Sequence, residues 1–177
     1  MSNDKLPRKS SRTEVDAFLR KVAATPSVSS AGESGRLIFA MDATASRKPT
    51  WDHACHLQAQ MFEATDSLGG VAIQLCYYRG YQEFKAGAWL TNAADLKRRM
   101  TAVSCLGGHT QIEKVLSHAL EESKRKRVNA LVFVGDCMEE DVDLLCHIAG
   151  ELGIHGVPAF MFHEGGEAKA ESAFKQI

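Results

Sequence analysis

RLIFAMDATAS, Arg36 to Ser46, decides the fold. Leu37 to Met41 is an unbroken apolar run that ends on Asp42. A strand with one wet face alternates apolar and polar residues. A run without alternation marks a strand buried on both faces, as in a parallel sheet covered by helices above and below. The pattern returns at Ala130 to Val134, which leads into Gly135-Asp136. Two central strands are therefore expected, each delivering an aspartate to a loop at its carboxyl end.

The flanking segments fit the same layout. Trp51 to Ser67 reads as a helix stopped by Gly69-Gly70, and Val71 to Tyr78 as a second strand. Arg79-Gly80 makes a tight turn into Tyr81 to Phe84, which predicts an antiparallel strand at a sheet edge. Tyr77, Tyr78 and Tyr81 are expected to pack across strands. Asn92 caps a helix to about Met100, and Leu106 to His109 is a loop. Thr110 opens another helix, with Ile112, Val115, Leu116 and Ala119 facing inward. Glu139 to Leu152 is helical, Gly156 to Phe162 a strand, and Glu167 onward a helix. Strands alternating with helices predict an α/β fold: a three-layer, Rossmann-like doubly wound sheet, mostly parallel with one antiparallel edge strand.

Residues 1–34 read differently. Met1 to Arg12 is polar and basic, and Ser11 with Glu14 fits a capping box before Val15, Phe18, Leu19 and Val22. Thr25 to Gly35 is rich in Ser and Gly and reads as a linker. The expected organisation is a basic tail, short helix and linker over 1–34, then one domain over 35–177. The amphipathic pattern Ala170, Phe174, Ile177 runs to the last residue with no capping signal, so the domain is expected to be cut short there or continued by a further segment.

Bulk composition excludes several classes. Lysine plus arginine number 21 against 22 acids, a formal charge of -1, which argues against general binding to nucleic acid or to a membrane surface. No apolar stretch is long enough to span a bilayer, and the N-terminus has no apolar signal core. The five cysteines are scattered and odd in number, which predicts a reduced, cytoplasmic setting.

In such sheets ligands bind outside the carboxyl ends of the strands. Three loops there carry hard oxygen groups: Asp42-Ala43-Thr44-Ala45-Ser46, Gly107-Gly108-His109-Thr110 and Gly135-Asp136. They offer two carboxylates and three hydroxyls. That donor set selects a hard cation such as Mg2+, which takes octahedral oxygen ligands at about 2.1 Å and keeps some waters. The i, i+2, i+4 spacing from Asp42 suits a loop curling over a strand end.

These residues resemble the metal-ion-dependent adhesion site of the von Willebrand factor A family. The family pattern is D-x-S-x-S, then a Thr after a Gly-rich loop, then an Asp at the end of a later central strand. Asp42, Thr44 and Ser46 match the first part, Thr110 the second and Asp136 the third. Thr44 stands where the family usually has Ser. The resemblance implies that Ser46, Thr44 and Thr110 touch the metal while Asp42 and Asp136 hold ligating waters. It implies Mg2+, with Mn2+ or Ca2+ as substitutes. Family domains normally continue with one more strand and helix, which are expected to be missing here, and the resemblance implies a stand-alone bacterial cytoplasmic type.

An ion held by neutral hydroxyls stays electron-poor and accepts a strong external ligand. The expected function is a protein-binding module whose metal takes an Asp or Glu from a partner protein, with Gly108 and His109 at the partner-binding surface. The rival is a Mg2+-dependent phosphohydrolase or nucleotide-binding protein in the same crevice. The chain has no P-loop and no second aspartate two residues after Asp42, so the reading leans away from an enzyme. A third reading is a scaffold in which the N-terminal tail and helix dock onto another protein.

Other residues carry weaker signals. His53 and His56 are spaced to share a zinc ion but have no clear further ligands, so a polar helix face is expected. Cys137 has no evident base and reads as a buried or idle thiol. Lys124 to Arg127 reads as a solvated helix end.

Overall fold

The computed structural model describes residues 35–66 and 71–177. The helix and linker expected over 1–34 and the Gly69-Gly70 helix stop lie outside the described residues.

The described chain forms a five-stranded sheet. β1 is Arg36–Asp42, β2 Ala72–Arg79, β3 Glu83–Leu90, β4 Ala130–Gly135 and β5 Ala159–His163. The spatial order is β3-β2-β1-β4-β5. β1 pairs in parallel with β2 and β4, and β4 with β5, while β3 is antiparallel to β2 at one edge. From β1 the chain moves outward to β2 and β3, then crosses back to β4 on the other side of β1. The carboxyl ends of β1 and β4 therefore flank the point where the strand order reverses. Adjacent loops part there onto opposite faces and leave a crevice.

Helices cover both faces: α1 (Trp51–Asp66), α2 (Ala93–Thr101), α3 (Ile112–Arg125), α4 (Val142–Ile154) and α5 (Ala168–Gln176). Alternation along β1 sends Phe39 and Met41 one way and Ile38, Ala40 and Asp42 the other. Phe39 meets Phe62 of α1 edge-on at 5.0 Å. Ile38 and Ala40 join the core of α3, α4 and α5, with Leu116, Leu145 and Phe174. On α3 the spacing Ile112, Val115, Leu116, Ala119 lays one stripe on the sheet, and all four are buried.

Caps set the helix starts. Oδ1 of Asn92 accepts from the amides of Ala94 and Asp95, and Oδ1 of Asp141 from those of Asp143 and Leu144. α4 thus begins at Val142, three residues after the Glu139 expected from sequence. α3 begins at Ile112 and not at Thr110, because its cap comes from elsewhere. The Glu140 carboxylate accepts from the amides of Ile112 at 2.7 Å and Glu113 at 2.8 Å.

β3 runs to Leu90, well past the expected Phe84. Tyr81 is not a strand residue. It lies in the turn and is 73% exposed, against the expectation that it packs across strands. Tyr78 does reach across the sheet, stacking on Phe133 of β4 at 6.1 Å. Among the described residues, no helix is long and apolar enough to cross a membrane.

Candidate metal centre

Asp42 ends β1 opposite Tyr78 of β2 and is fully buried. Its Oδ1 accepts from the Thr44 amide at 2.7 Å, a local turn in which the side chain fixes the backbone two residues on. Its Oδ2 accepts from the Tyr78 phenol at 3.1 Å. The turn carries the chain over the strand end and presents two hydroxyls, Thr44 Oγ1 and Ser46 Oγ, 3.1 Å apart. Thr44 is buried and Ser46 is exposed. The hydroxyl pair therefore runs from the floor of the crevice to its mouth.

Asp136 follows β4. Its Oδ1 is buried and has no hydrogen-bond partner. One carboxylate oxygen of Asp42, one of Asp136 and Sγ of Cys137 all lie within 4.8 Å of one another. Burial raises the pKa of Asp42; the hydrogen bonds from Thr44 and Tyr78 oppose this, and the Asp136 charge adds to it. Burial and the neighbouring Asp42 hold the Tyr78 phenol well above its ordinary value, so it remains a donor. Burial, then Asp136 and Asp42, pushes the Cys137 thiol up to about 12.

The third loop is fastened to both of the others. The Leu106 amide donates to the Ala43 carbonyl at 3.0 Å, and the amides of Gly80 and His109 complete bonds between residues 106–109 and the end of β2. Gly108 permits this approach: a Cβ there would sit 1.8 Å from the Gly80 carbonyl oxygen. Thr110 is buried. Its amide donates to Glu139 Oε2 at 3.0 Å, and its Oγ1 accepts from the Glu139 amide at 3.1 Å. These bonds tie the start of α3 to the loop that carries Asp136.

The structure thus groups Asp42, Thr44 and Ser46 on one turn and sets the Asp136 carboxylate beside Asp42. Thr110 is joined to them through Glu139 and the Ala43–Leu106 bond, and not by a direct hydrogen bond to either aspartate. Gly108 is half-buried against Gly80, while His109 is exposed. The His109 ring meets Tyr81 edge-on at 5.2 Å, and its Nδ1 lies 3.3 Å from Glu139 Oε2. Leu106 is also exposed, so these side chains form a rim beside the crevice.

Three residues of the centre were not legible from sequence in these roles. Tyr78 is placed by strand register. Arg47, on the 3-10 turn Ala45–Arg47, is 1% exposed; its Nε donates to the Asp42 carbonyl and its Nη1 pairs with Glu164. Cys137, expected to be a buried or idle thiol, stands with the two carboxylates. Among the described residues this is the one group of three His, Cys, Asp or Glu side chains close enough to share an ion. His53 and His56 are not part of it.

The residues fit a divalent cation. A buried carboxylate oxygen lacks a donor, a second buried carboxylate faces it, and two hydroxyls adjoin. The hydrogen bonds from Thr44 and Tyr78 do not fill the roughly four lone-pair directions of the Asp42 carboxylate, so it retains acceptor capacity.

No protein-family model matches the chain, and no curated protein matches it. Solved structures do. The crystal structure of manganese-loaded Plasmodium vivax TRAP protein superposes with a TM-score of 0.65 at 11% identity, covering 80% of this chain and 62% of that one. Proximal thread matrix protein 1 from the mussel byssus superposes at 0.57 with 14% identity, covering 80% and 38%. This chain therefore spans less than two thirds of either neighbour's length. At such identities the likeness speaks for the fold, and the fold of this chain is the α/β sandwich of the von Willebrand factor A type.

Proposed function

We propose that the chain is a metal-dependent protein-binding module. The observation that carries this reading is the pairing of buried Asp42 with Asp136, whose buried Oδ1 lacks a partner, beside the Thr44 and Ser46 hydroxyls. Two carboxylates held together out of water repel each other, and a divalent cation between them relieves that repulsion. In this reading Ser46, Thr44 and Thr110 supply oxygen ligands, and Asp42 and Asp136 hold metal-bound water. The ion is Mg2+, with Mn2+ or Ca2+ as substitutes; the TRAP neighbour was crystallised manganese-loaded.

When bound, the ion supplies a Lewis-acidic position for one external oxygen ligand. The protein contributes the rest. The Asp42 turn fixes the hydroxyls, Tyr78 orients Asp42, and the exposed Leu106 and His109, with half-buried Gly108 beside them, contact a partner that provides an Asp or Glu. We also assign a cytoplasmic setting, for which the odd number and scatter of the five cysteines speak.

Calorimetric titration with Mn2+ tests the centre. Wild type is expected to bind one ion, and Ser46→Ala and Asp136→Asn to bind at least about tenfold more weakly with unchanged circular dichroism. Added acetate or a Glu-rich peptide is expected to displace water from the bound Mn2+, read by proton relaxation. Equal Mn2+ binding by all three proteins would overturn the metal assignment. Partner capture that is indifferent to chelator would overturn the binding role.

A further inference from the structure

We propose that Cys137 is a ligand of the same centre, so that the site accepts a borderline cation such as Zn2+ or Co2+ ahead of Mg2+. The inference rests on the reading of a metal at Asp42 and Asp136; it differs in having both aspartates bind the ion directly alongside the thiolate, which changes which metals that site prefers.

Geometry carries it. Sγ of Cys137 shares a 4.8 Å span with oxygens of both aspartates. Two donors bound tetrahedrally to one zinc ion, at about 2.0 to 2.3 Å each, lie about 3.5 Å apart. Side-chain movement of about 1 Å brings the three donors to that separation. The backbone around Cys137 is held on both sides. The Asp136 carbonyl accepts from His163 Nε2 at 3.2 Å, and the Met138 amide donates to Glu167 Oε2 at 2.9 Å. Met138 is itself buried in the core. Cys137 is thus anchored between fixed neighbours with its sulfur on the carboxylate side. A second observation points to a ligand at the same place: Asp136 Oδ1 is buried without a donor.

The chemistry follows from ligand softness. Mg2+ takes oxygen donors and gains little from sulfur, whereas Zn2+ and Co2+ bind thiolate well. On binding, a metal–sulfur bond forms and the S–H proton leaves to solvent. No electron is transferred.

Cobalt reads this directly. The reduced full-length chain, titrated with Co2+, is expected to develop a near-ultraviolet sulfur-to-cobalt charge-transfer band that saturates at one ion. Cys137→Ser is expected to bind Co2+ roughly tenfold more weakly and without the band, while Cys105→Ser and Cys146→Ser retain it. One equivalent of Zn2+ is expected to abolish the band, and a large excess of Mg2+ to leave it. If Co2+ binds wild type without the band, or Cys137→Ser keeps it, the sulfur ligand is overturned and the oxygen site stands. If no Co2+ or Mn2+ binds at all, both readings fall.

Discussion

The Tyr78 phenol donates to Oδ2 of Asp42 across 3.1 Å, from the end of one strand to the end of its parallel neighbour. The bond satisfies a buried carboxylate oxygen and fixes its orientation toward the crevice. Without Tyr78, Asp42 would keep its hydrogen bonding to Thr44 and lose the phenol.

Tyr78→Phe is accordingly expected to lower stability by about 2 kcal/mol at neutral pH, the usual scale for a hydrogen bond to a charged group. Urea denaturation measures it. An unchanged midpoint would mean that the carboxylate finds another donor. The variant is also expected to bind Mn2+ more weakly, because Asp42 is free to turn.

The contribution of Asp42 to stability without metal should fall as pH rises through the acidic range. The carboxyl of Asp42 is raised above its ordinary 3.8, chiefly by burial. The folded state therefore binds this proton more tightly than the unfolded state. The contribution favours folding below 3.8 and is lost as pH passes the raised value. A bound cation competes with the same proton. The metal-induced rise in melting temperature is thus expected to be small near 3.8 and to grow toward neutrality, with protons released on binding in the window between. A metal-induced rise that is flat across that window would remove Asp42 from the centre.

Arg47 and Glu164 form an asymmetric pair, with side chains 1% and 37% exposed. Glu164→Gln would leave the arginine charge buried without its partner and is expected to cost about 3 kcal/mol. Arg47→Met removes that charge, fills the space with an apolar chain, and lets Glu164 turn to water. Its expected cost is smaller, about 1 kcal/mol. Chemical denaturation of both variants checks the order, and a reversed order would mean that Arg47 serves mainly to hold the Asp42 carbonyl.

Gly108→Ala would place a methyl group 1.8 Å from the Gly80 carbonyl oxygen. Both groups are tied to backbone, so no rotamer change relieves the overlap. A loss of about 3 kcal/mol is expected, together with weaker metal binding as residues 105–110 lift from Ala43. Wild-type stability in this variant would show that the loop shifts freely and does not brace the centre.

The outline of the fold was legible because burial on both faces leaves a continuous apolar run, and Leu37–Met41 and Ala130–Val134 have no other economical reading. β3 was cut short because Lys85-Ala86-Gly87-Ala88 carries no apolar alternation. An edge strand needs little, since backbone pairing to β2 holds it. The start of α3 was misplaced because its cap, Glu140, lies 28 residues further along the chain than the amide of Ile112.

By itself the sequence determined which strands are central and where the hard oxygen donors fall, since hydrophobic period and loop chemistry are local properties of the chain. Only the tertiary structure decided that the Tyr78 phenol meets Asp42, that the buried Arg47 pairs with Glu164, and that the sulfur of Cys137 and a carboxylate oxygen of Asp42 come within 4.8 Å. Strand register and loop docking bring those atoms together over long separations, and no local pattern of residues encodes a distance.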